Sequence, residues 1–250
     1  SCVASWRVLT LGLRLVRVCH LQDNVAMLTV DELKAASVWA DKIDPQQLER
    51  VVREIVVREF GPGEPICRMG ESVDYWNGLI DGLVKMNKFS AEGKSITFAG
   101  IAPGGWWGEG SLLKREKRRY DVTALRRSRV AFIPRATFDG LLDSSIPFNR
   151  FLLVQLNERL GQFIAAVEHE RMLDPDARVA RAIASLFNPI LCPGAQRQIQ
   201  ISQEEIGFLS GASRQRANQA LQLLEKEGLL RLEYGGVTVV DLDGLRRFNA

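Results

Sequence analysis

Between Ser213 and Gln222 the chain carries Arg214, Gln215, Arg216, Asn218, Gln219 and Gln222, with no acidic residue among them. Guanidinium and amide groups pair with base edges, arginine with guanine and glutamine or asparagine with adenine. Drawn as a helix, Ala217, Ala220, Leu221 and Leu224 recur at i, i+3, i+4 and i+7 and share one apolar face. Gln215, Asn218, Gln219 and Gln222 then face outward, with Arg214 at their edge and Arg216 off the polar centre, where it would meet phosphate. A second basic run, Lys114, Arg115, Lys117, Arg118 and Arg119, is followed closely by Arg126, Arg127 and Arg129. It has the composition either of a phosphate-binding loop or of a solvated surface. Other chemistry lacks its equipment. His20 and His169 have no second ligand at useful spacing, and Cys2, Cys19, Cys67 and Cys192 are too scattered for a metal or iron–sulfur site. No Walker loop, Gly-x-Gly-x-x-Gly, His-Glu-x-x-His or nucleophile elbow occurs, so no catalytic residue and no enzyme is expected.

The elements that must hold the amide face are legible around it. Ser202 and Glu205 have the spacing of a capping box, and Ile201 and Ile206 that of a hydrophobic staple. Gly211 can end that helix in a left-handed turn, and Ser213 can cap the next one two residues later. Two helices around one glycine make a helix-turn-helix, whose second helix enters the major groove of DNA. Upstream, a helix over 177–187 leads to a short strand at 198–201. Downstream, strands at 229–233 and 237–240 flank Gly235-Gly236, a two-residue hairpin signal, so the unit is winged.

Toward the amino terminus the pattern changes twice. Leu153, Leu156, Leu160, Phe163 and Val167 fall at steps of 3, 4, 3 and 4 in a helix that starts at Ile146-Pro147 and ends near Leu173. This heptad seam predicts a dimer interface, with Gly161 inside it serving close packing. Residues 56–134 are short strand-like runs separated by glycine turns at Gly61-Pro62-Gly63, Gly70, Gly82, Gly93, Gly104-Gly105 and Gly108. They predict a small antiparallel roll with Ile66, Leu83, Val84, Ile96, Phe98, Ile101, Val122, Val130 and Phe132 in its core and Trp106 and Trp107 buried in the roll or at a domain contact. The expected class is α+β, divided into an extension over 1–26 expected to be disordered, a sensor roll over 27–145, a dimerisation helix over 146–174 and a winged helix-turn-helix over 175–250. The 250 residues are 46% hydrophobic with a net charge of only +3, so DNA binding must rest on local pattern rather than on bulk charge. No run is long and apolar enough to span a bilayer, and the scattered cysteines suit a reducing cytoplasm.

A glycine-turned roll, a long seam helix and a winged helix-turn-helix, in this order, resemble the cyclic-AMP receptor protein/FNR superfamily of bacterial transcription regulators. The pieces are Gly63-x-x-Ile66-x-x-x-Gly70-Glu71, Gly108-Glu109, Val122-x-Ala124, Asp174-x-x-x-Arg178-Val179-Ala180, and Ile201 to Gly207 running on to Ser213-Arg214. The resemblance implies an antiparallel β-roll of the cyclic-nucleotide-binding type. Glu109 would meet a ribose hydroxyl and Arg118 a cyclic phosphate, giving Gly108, Glu109, Arg118 and Arg119 as effector candidates. Where the family has a hydroxyl residue and then alanine, this chain has Arg119 and Tyr120. Where the family has its adenine-facing Thr/Ser pair, counting back from Asp174 gives Phe163 and Ile164. Each unsatisfied group of a buried base costs roughly 1–3 kcal/mol. Cyclic AMP is therefore not the expected effector; no cofactor is fixed, and a phosphorylated or other small molecule is the candidate ligand.

For DNA the resemblance makes Ser213 the start of the recognition helix and Arg214 a guanine contact, with Gln215, Arg216, Asn218 and Gln219 beside them. Gln215 and Gln219 stand where the family often has glutamate and arginine, which points to an operator with more A·T character. The expected partners are an inverted repeat of double-stranded DNA, a second copy of the chain and, further, RNA polymerase, with no membrane. The competing reading is a regulatory, ligand-binding module that acts through protein contacts and does not bind DNA.

Overall fold

The computed structural model describes residues 28–89 and 95–249. The expected extension over 1–26 and the turn at Gly93 lie outside them. The described chain begins with α1 (Val30–Ala36), opened by a Thr29–Glu32 capping box, then a 3-10 turn over Ala40–Lys42 and α2 (Pro45–Glu54), capped by Asp44. The strands β1 (Val56–Phe60), β2 (Pro65–Cys67), β3 (Tyr75–Asp81), β4 (Val84–Phe89), β5 (Ser95–Ile101) and β6 (Trp106–Trp107) follow. A short helix α3 (Glu109–Lys114) separates them from β7 (Asp121–Ala124) and β8 (Ser128–Pro134). These eight strands build two antiparallel four-stranded sheets, β1-β8-β3-β6 and β2-β7-β4-β5.

Val84, Met86, Ile101, Val122, Val130 and Phe132 fill the space between the sheets with Cys67, Leu79 and Trp107. Three residues expected there are elsewhere. Leu83 packs with the carboxy-terminal helices instead. Ile96 and Phe98 are 53% and 39% exposed. Met86 pairs with Ala99 and Asn87 with Thr97, so Phe98 is the extra residue of a bulge. β7 pairs with β4 only over Val84–Asn87, so Ile96 and its partner Lys88 lie past that neighbour and are exposed. Period-2 alternation holds only where a strand has a partner and a core.

Behind the first sheet, α1, α2, α4 (Arg135–Ser144) and the start of α5 (Ile146–Met172) enclose a nest of Trp39, Trp76, Trp106, Phe138 and Phe148. Its rings sit 4.4 to 5.8 Å apart, mostly tilted or edge-on, as aromatic quadrupoles prefer. Trp106 and Trp107 are adjacent in β6 and therefore serve opposite faces, one in the nest and one between the sheets. After a break at Asp174-Pro175 come α6 (Pro175–Ser185), β9 (Gln198–Gln200), α7 (Gln203–Ser210), α8 (Arg214–Lys226), β10 (Leu230–Glu233), β11 (Gly236–Val239) and α9 (Leu242–Arg247). The strands form one sheet, β10-β11-β9, and share a core with the helices that also takes in Leu83 and Ala102 of the roll.

α5 has two apolar sides. Phe148, Phe151 and Leu152 are buried on the roll, whereas Leu153, Leu160 and Val167 are 68%, 57% and 52% exposed, with Leu156 and Phe163 half-buried. Within the single chain a Cβ at Gly161 would meet nothing within 4 Å, so its small size serves no contact within the protomer.

Candidate functional site

The amide-rich helix is set by local chemistry. Ser202 Oγ accepts from Glu205 N at 3.2 Å while the Glu205 carboxylate accepts from Ser202 N, so α7 opens with both halves of the capping box made. Gly211 ends α7 at φ +68°, where a residue with a side chain would be strained. Gly207 permits the tight turn: a Cβ there would lie 2.8 Å from the Ala212 carbonyl oxygen, and the Ala212 N–H donates to Gly207 O. Ser213 Oγ then accepts from Arg216 N at 3.2 Å and starts α8. Ala217, Ala220, Leu221 and Leu224 are buried against the α6 residues Val179, Ala180 and Ile183.

On the outer side Ser213, Arg214, Gln215 and Gln219 are exposed. The remaining two candidates are engaged within the chain. Asn218 accepts from Gln203 Nε2 at 2.8 Å, which ties α8 to α7. Arg216 leans back toward α6, and its Nη2 lies 2.7 Å from Asp176 Oδ2. The wing differs by one residue from the expected turn. Glu233 pairs with Gly236, so the two turn residues are Tyr234 and Gly235 and not Gly235-Gly236. Gly235 supplies the positive φ of +73°, Gly236 already belongs to β11, and Tyr234 stands fully exposed at the tip. A cleft of about 360 Å³ separates wing from helices, lined by Gln203, Glu204, Arg214, Glu233 and Gly235 among others.

The roll holds the second cluster. Gly108 caps α3 at φ +100°, and Glu109 beside it is 3% exposed. Its Oε1 lies 3.6 Å from Arg159 Nε of α5, while Oε2 is buried without a hydrogen-bond partner. Arg159 also donates to the Trp106 carbonyl at 2.8 Å. Arg118 is buried against Gly108, and Asn77 Oδ1 is placed to accept from Arg118 Nη2 at 3.0 Å and Trp107 Nε1 at 3.2 Å. Tyr120 packs on the roll core, and burial first, then the charge of Glu109, pushes its phenol well above the usual range. Burial likewise raises the Cys67 and Cys192 thiols.

Three of the four effector candidates, Gly108, Glu109 and Arg118, are thus brought together, and Arg119 is not. It lies in the bend before β7, points to solvent and pairs with Glu116 at 2.7 Å, while its neighbour Arg118 is buried. The rest of the basic run is dispersed in the same way. Lys114 shares Glu116, Arg127 meets Glu59 at 2.5 Å, and Arg126 Nη2 bonds both oxygens of Glu205 at 2.7 and 2.8 Å. That last pair joins the roll to α7. Beside it Lys85 Nζ sits 4.0 Å from the Phe208 ring centroid, and burial holds its pKa below the ordinary lysine value.

Sequence reasoning missed Arg159, Asp176, Gln203 and Lys85. Nothing local marked any of them. Among the described residues no helix is long and apolar enough to cross a membrane, and no cluster of three or more His, Cys, Asp or Glu could hold a metal ion.

Residues 57–145 match the cyclic nucleotide-binding domain family, and residues 177–248 match the Crp-like helix-turn-helix domain. A CRP-like cAMP-activated global transcriptional regulator of Mycobacterium tuberculosis is 25% identical over 221 residues, covering 87% of this chain and 99% of the relative. Among solved structures, a CRP-family transcriptional regulator from Thermus thermophilus aligns with a TM-score of 0.54 at 26% identity, over 76% of this chain and 95% of that one. FixK2 from Bradyrhizobium japonicum shares the fold with a TM-score of 0.65 at 17% identity, over 78% and 98%.

Proposed function

The chain belongs to the cyclic-AMP receptor protein/FNR superfamily of bacterial transcription regulators, and from that premise we propose that it acts as a homodimer reading an inverted repeat through Arg214, Gln215 and Gln219, without cyclic AMP as its signal. It is a DNA-binding regulator with a cyclic-nucleotide-binding-like domain. The observation that carries the finer reading is the acid-free face of α8, where Arg214, Gln215 and Gln219 are exposed among the described residues. Arg214 would address guanine and the two glutamines adenine, at two half-sites about one helical turn apart.

The dimer rests on the outward stripe of α5. Leu153, Leu160, Ile164 and Val167 form a long exposed apolar band, a feature that monomer surfaces rarely keep. The roll speaks against cyclic AMP. Glu109 already faces Arg159, and Tyr120 fills space beside Arg118 where the family has a small residue. RNA polymerase, as the partner of a bound regulator, is part of the same proposal, as are a cytoplasmic location and the division at residues 145 and 174.

The test is selection of genomic fragments followed by footprinting, with cyclic AMP, cyclic GMP and cyclic di-GMP in a parallel thermal-shift series. A protected inverted repeat and an unchanged melting temperature with cyclic AMP are expected. Uniform, sequence-independent retention would sink the DNA reading, and a dose-dependent upward shift with cyclic AMP would sink the other.

A further inference from the structure

Arg216 lies on the first turn of α8, where a cation would ordinarily be available to the DNA backbone. In this chain it is already occupied. Its Nη2 sits 2.7 Å from Asp176 Oδ2, and the Asp176 side chain is only 16% exposed, so water screens the pair weakly. The Arg216 side chain is 34% exposed and its second nitrogen reaches Gln219 Oε1 at 3.5 Å. Asp174, two residues back, adds to the hold: Arg216 is close enough to contribute to the lowering of its pKa. Asp176 is fixed in turn, because its N–H donates to Asp174 Oδ1 at 2.8 Å in the cap of α6. Asp176 Oδ1 is buried without another partner, so the carboxylate has no alternative to the guanidinium.

We propose that Asp176 withholds Arg216 from the DNA backbone, so that Arg216 is a positioning residue and one sequence-independent phosphate contact is kept out of the complex. The pair fixes the first turn of α8 to the first turn of α6, immediately after the break that ends α5. Base-reading by Arg214, Gln215 and Gln219 then carries a larger share of the affinity, because phosphate contacts hold DNA without distinguishing sequences. The inference rests on the DNA-reading function above, and salt dependence separates the two.

Each phosphate neutralised by a cation steepens log K against log salt by roughly 0.9. The experiment compares wild type, Asp176→Asn and the double variant D176N/R216Q on an operator and on random duplex. Fluorescence anisotropy is followed from about 50 to about 200 mM salt, and the melting temperature is measured alongside. Asp176→Asn preserves the shape and the backbone donor while releasing the guanidinium. It is expected to bind both duplexes more tightly at low salt and to lose roughly threefold more affinity than wild type across that range. The double variant, with neither charge, is expected to keep the wild-type slope. Equal slopes for wild type and Asp176→Asn, or weaker binding by Asp176→Asn, would overturn the proposal, since Arg216 would then be on phosphate already or Asp176 merely structural. Failure of the wild-type chain to bind either duplex would overturn the parent reading and this one with it.

Discussion

Glu109 and Arg118 in the roll, and Arg214, Gln215 and Gln219 on α8, are polar groups of the same kinds held in opposite ways. In the roll they are buried and turned toward residues of their own chain, Arg159, Asn77 and the Trp106 carbonyl. On α8 they stand in solvent, and among the described residues only Gln219 is touched, by a long contact from Arg216 at 3.5 Å. A site whose charges already face one another gains little from a ligand that must first separate them, because buried polar groups that lose a partner are costly. A site that satisfies little internally leaves most of its capacity to a partner. The contrast makes the roll resemble an occupied sensor and α8 an open reader, joined by α5, which supplies Arg159 to one and leads through Asp174 to the other.

The sharpest way to break this contrast is Arg159→Ala. Glu109 would be left buried with neither oxygen facing a cation, and such a loss costs about 3 kcal/mol or more. Urea denaturation would show a lower midpoint with little change in slope. An unchanged midpoint would mean that water reaches Glu109, and the roll would then be no more closed than α8. The next effect falls on the open end. Arg214→Ala is expected to leave stability alone and to cost roughly 2 kcal/mol on the operator, relaxing preference at one base pair. Equal losses on random DNA in an anisotropy titration would make Arg214 a backbone contact instead.

These two ends were not equally legible in the sequence. The reader unit is written locally: a capping box, a glycine turn, a serine cap and an apolar 3-4 spacing all act within a few residues. Each fixes backbone geometry by itself, and tertiary context only agrees with it. The closed state of the roll is not local. Arg159 meets Glu109 from a distant part of the chain, and the seam spacing that marked α5 as amphipathic gave no sign that its other side would carry a cation into the roll. The misplaced Ile96 and Phe98 have the same origin, since a bulge and a strand pair that outruns its neighbour β7 are decided by partner strands rather than by alternation along one strand. The wing turn was missed by a single residue because both members of Gly235-Gly236 can adopt a turn, and only the Glu233–Gly236 pairing selects Tyr234-Gly235.

A smaller effect probes how far the open helix depends on its own cap. Ser213→Ala removes the acceptor of Arg216 N and is expected to cost about 1 kcal/mol in urea unfolding. Because Ser213 starts the helix that presents Arg214, operator affinity should fall by a comparable factor. A loss of stability with no loss of affinity would show that packing on α6 alone positions the reader.

The smallest effect lies at the junction of the two regions. Asp174 caps α6, and its carboxylate is held below the usual value chiefly by the Ala177 backbone N–H, with smaller help from Asn249, the Asp176 N–H and Arg216. A carboxylate with a depressed folded pKa adds stability that is fully present above its unfolded pKa of roughly 4 and is lost as pH falls through the folded value. Asp174→Asn keeps a capping oxygen but cannot titrate, so wild type should be the more stable of the two at about pH 7, and the difference should shrink as pH falls below the unfolded value and vanish once the folded carboxyl is protonated. Parallel urea titrations across that fall in pH measure it. A gap that persists at low pH would assign the role of Asp174 to hydrogen-bond shape alone. The junction would then join reader to roll by geometry, with no part played by charge.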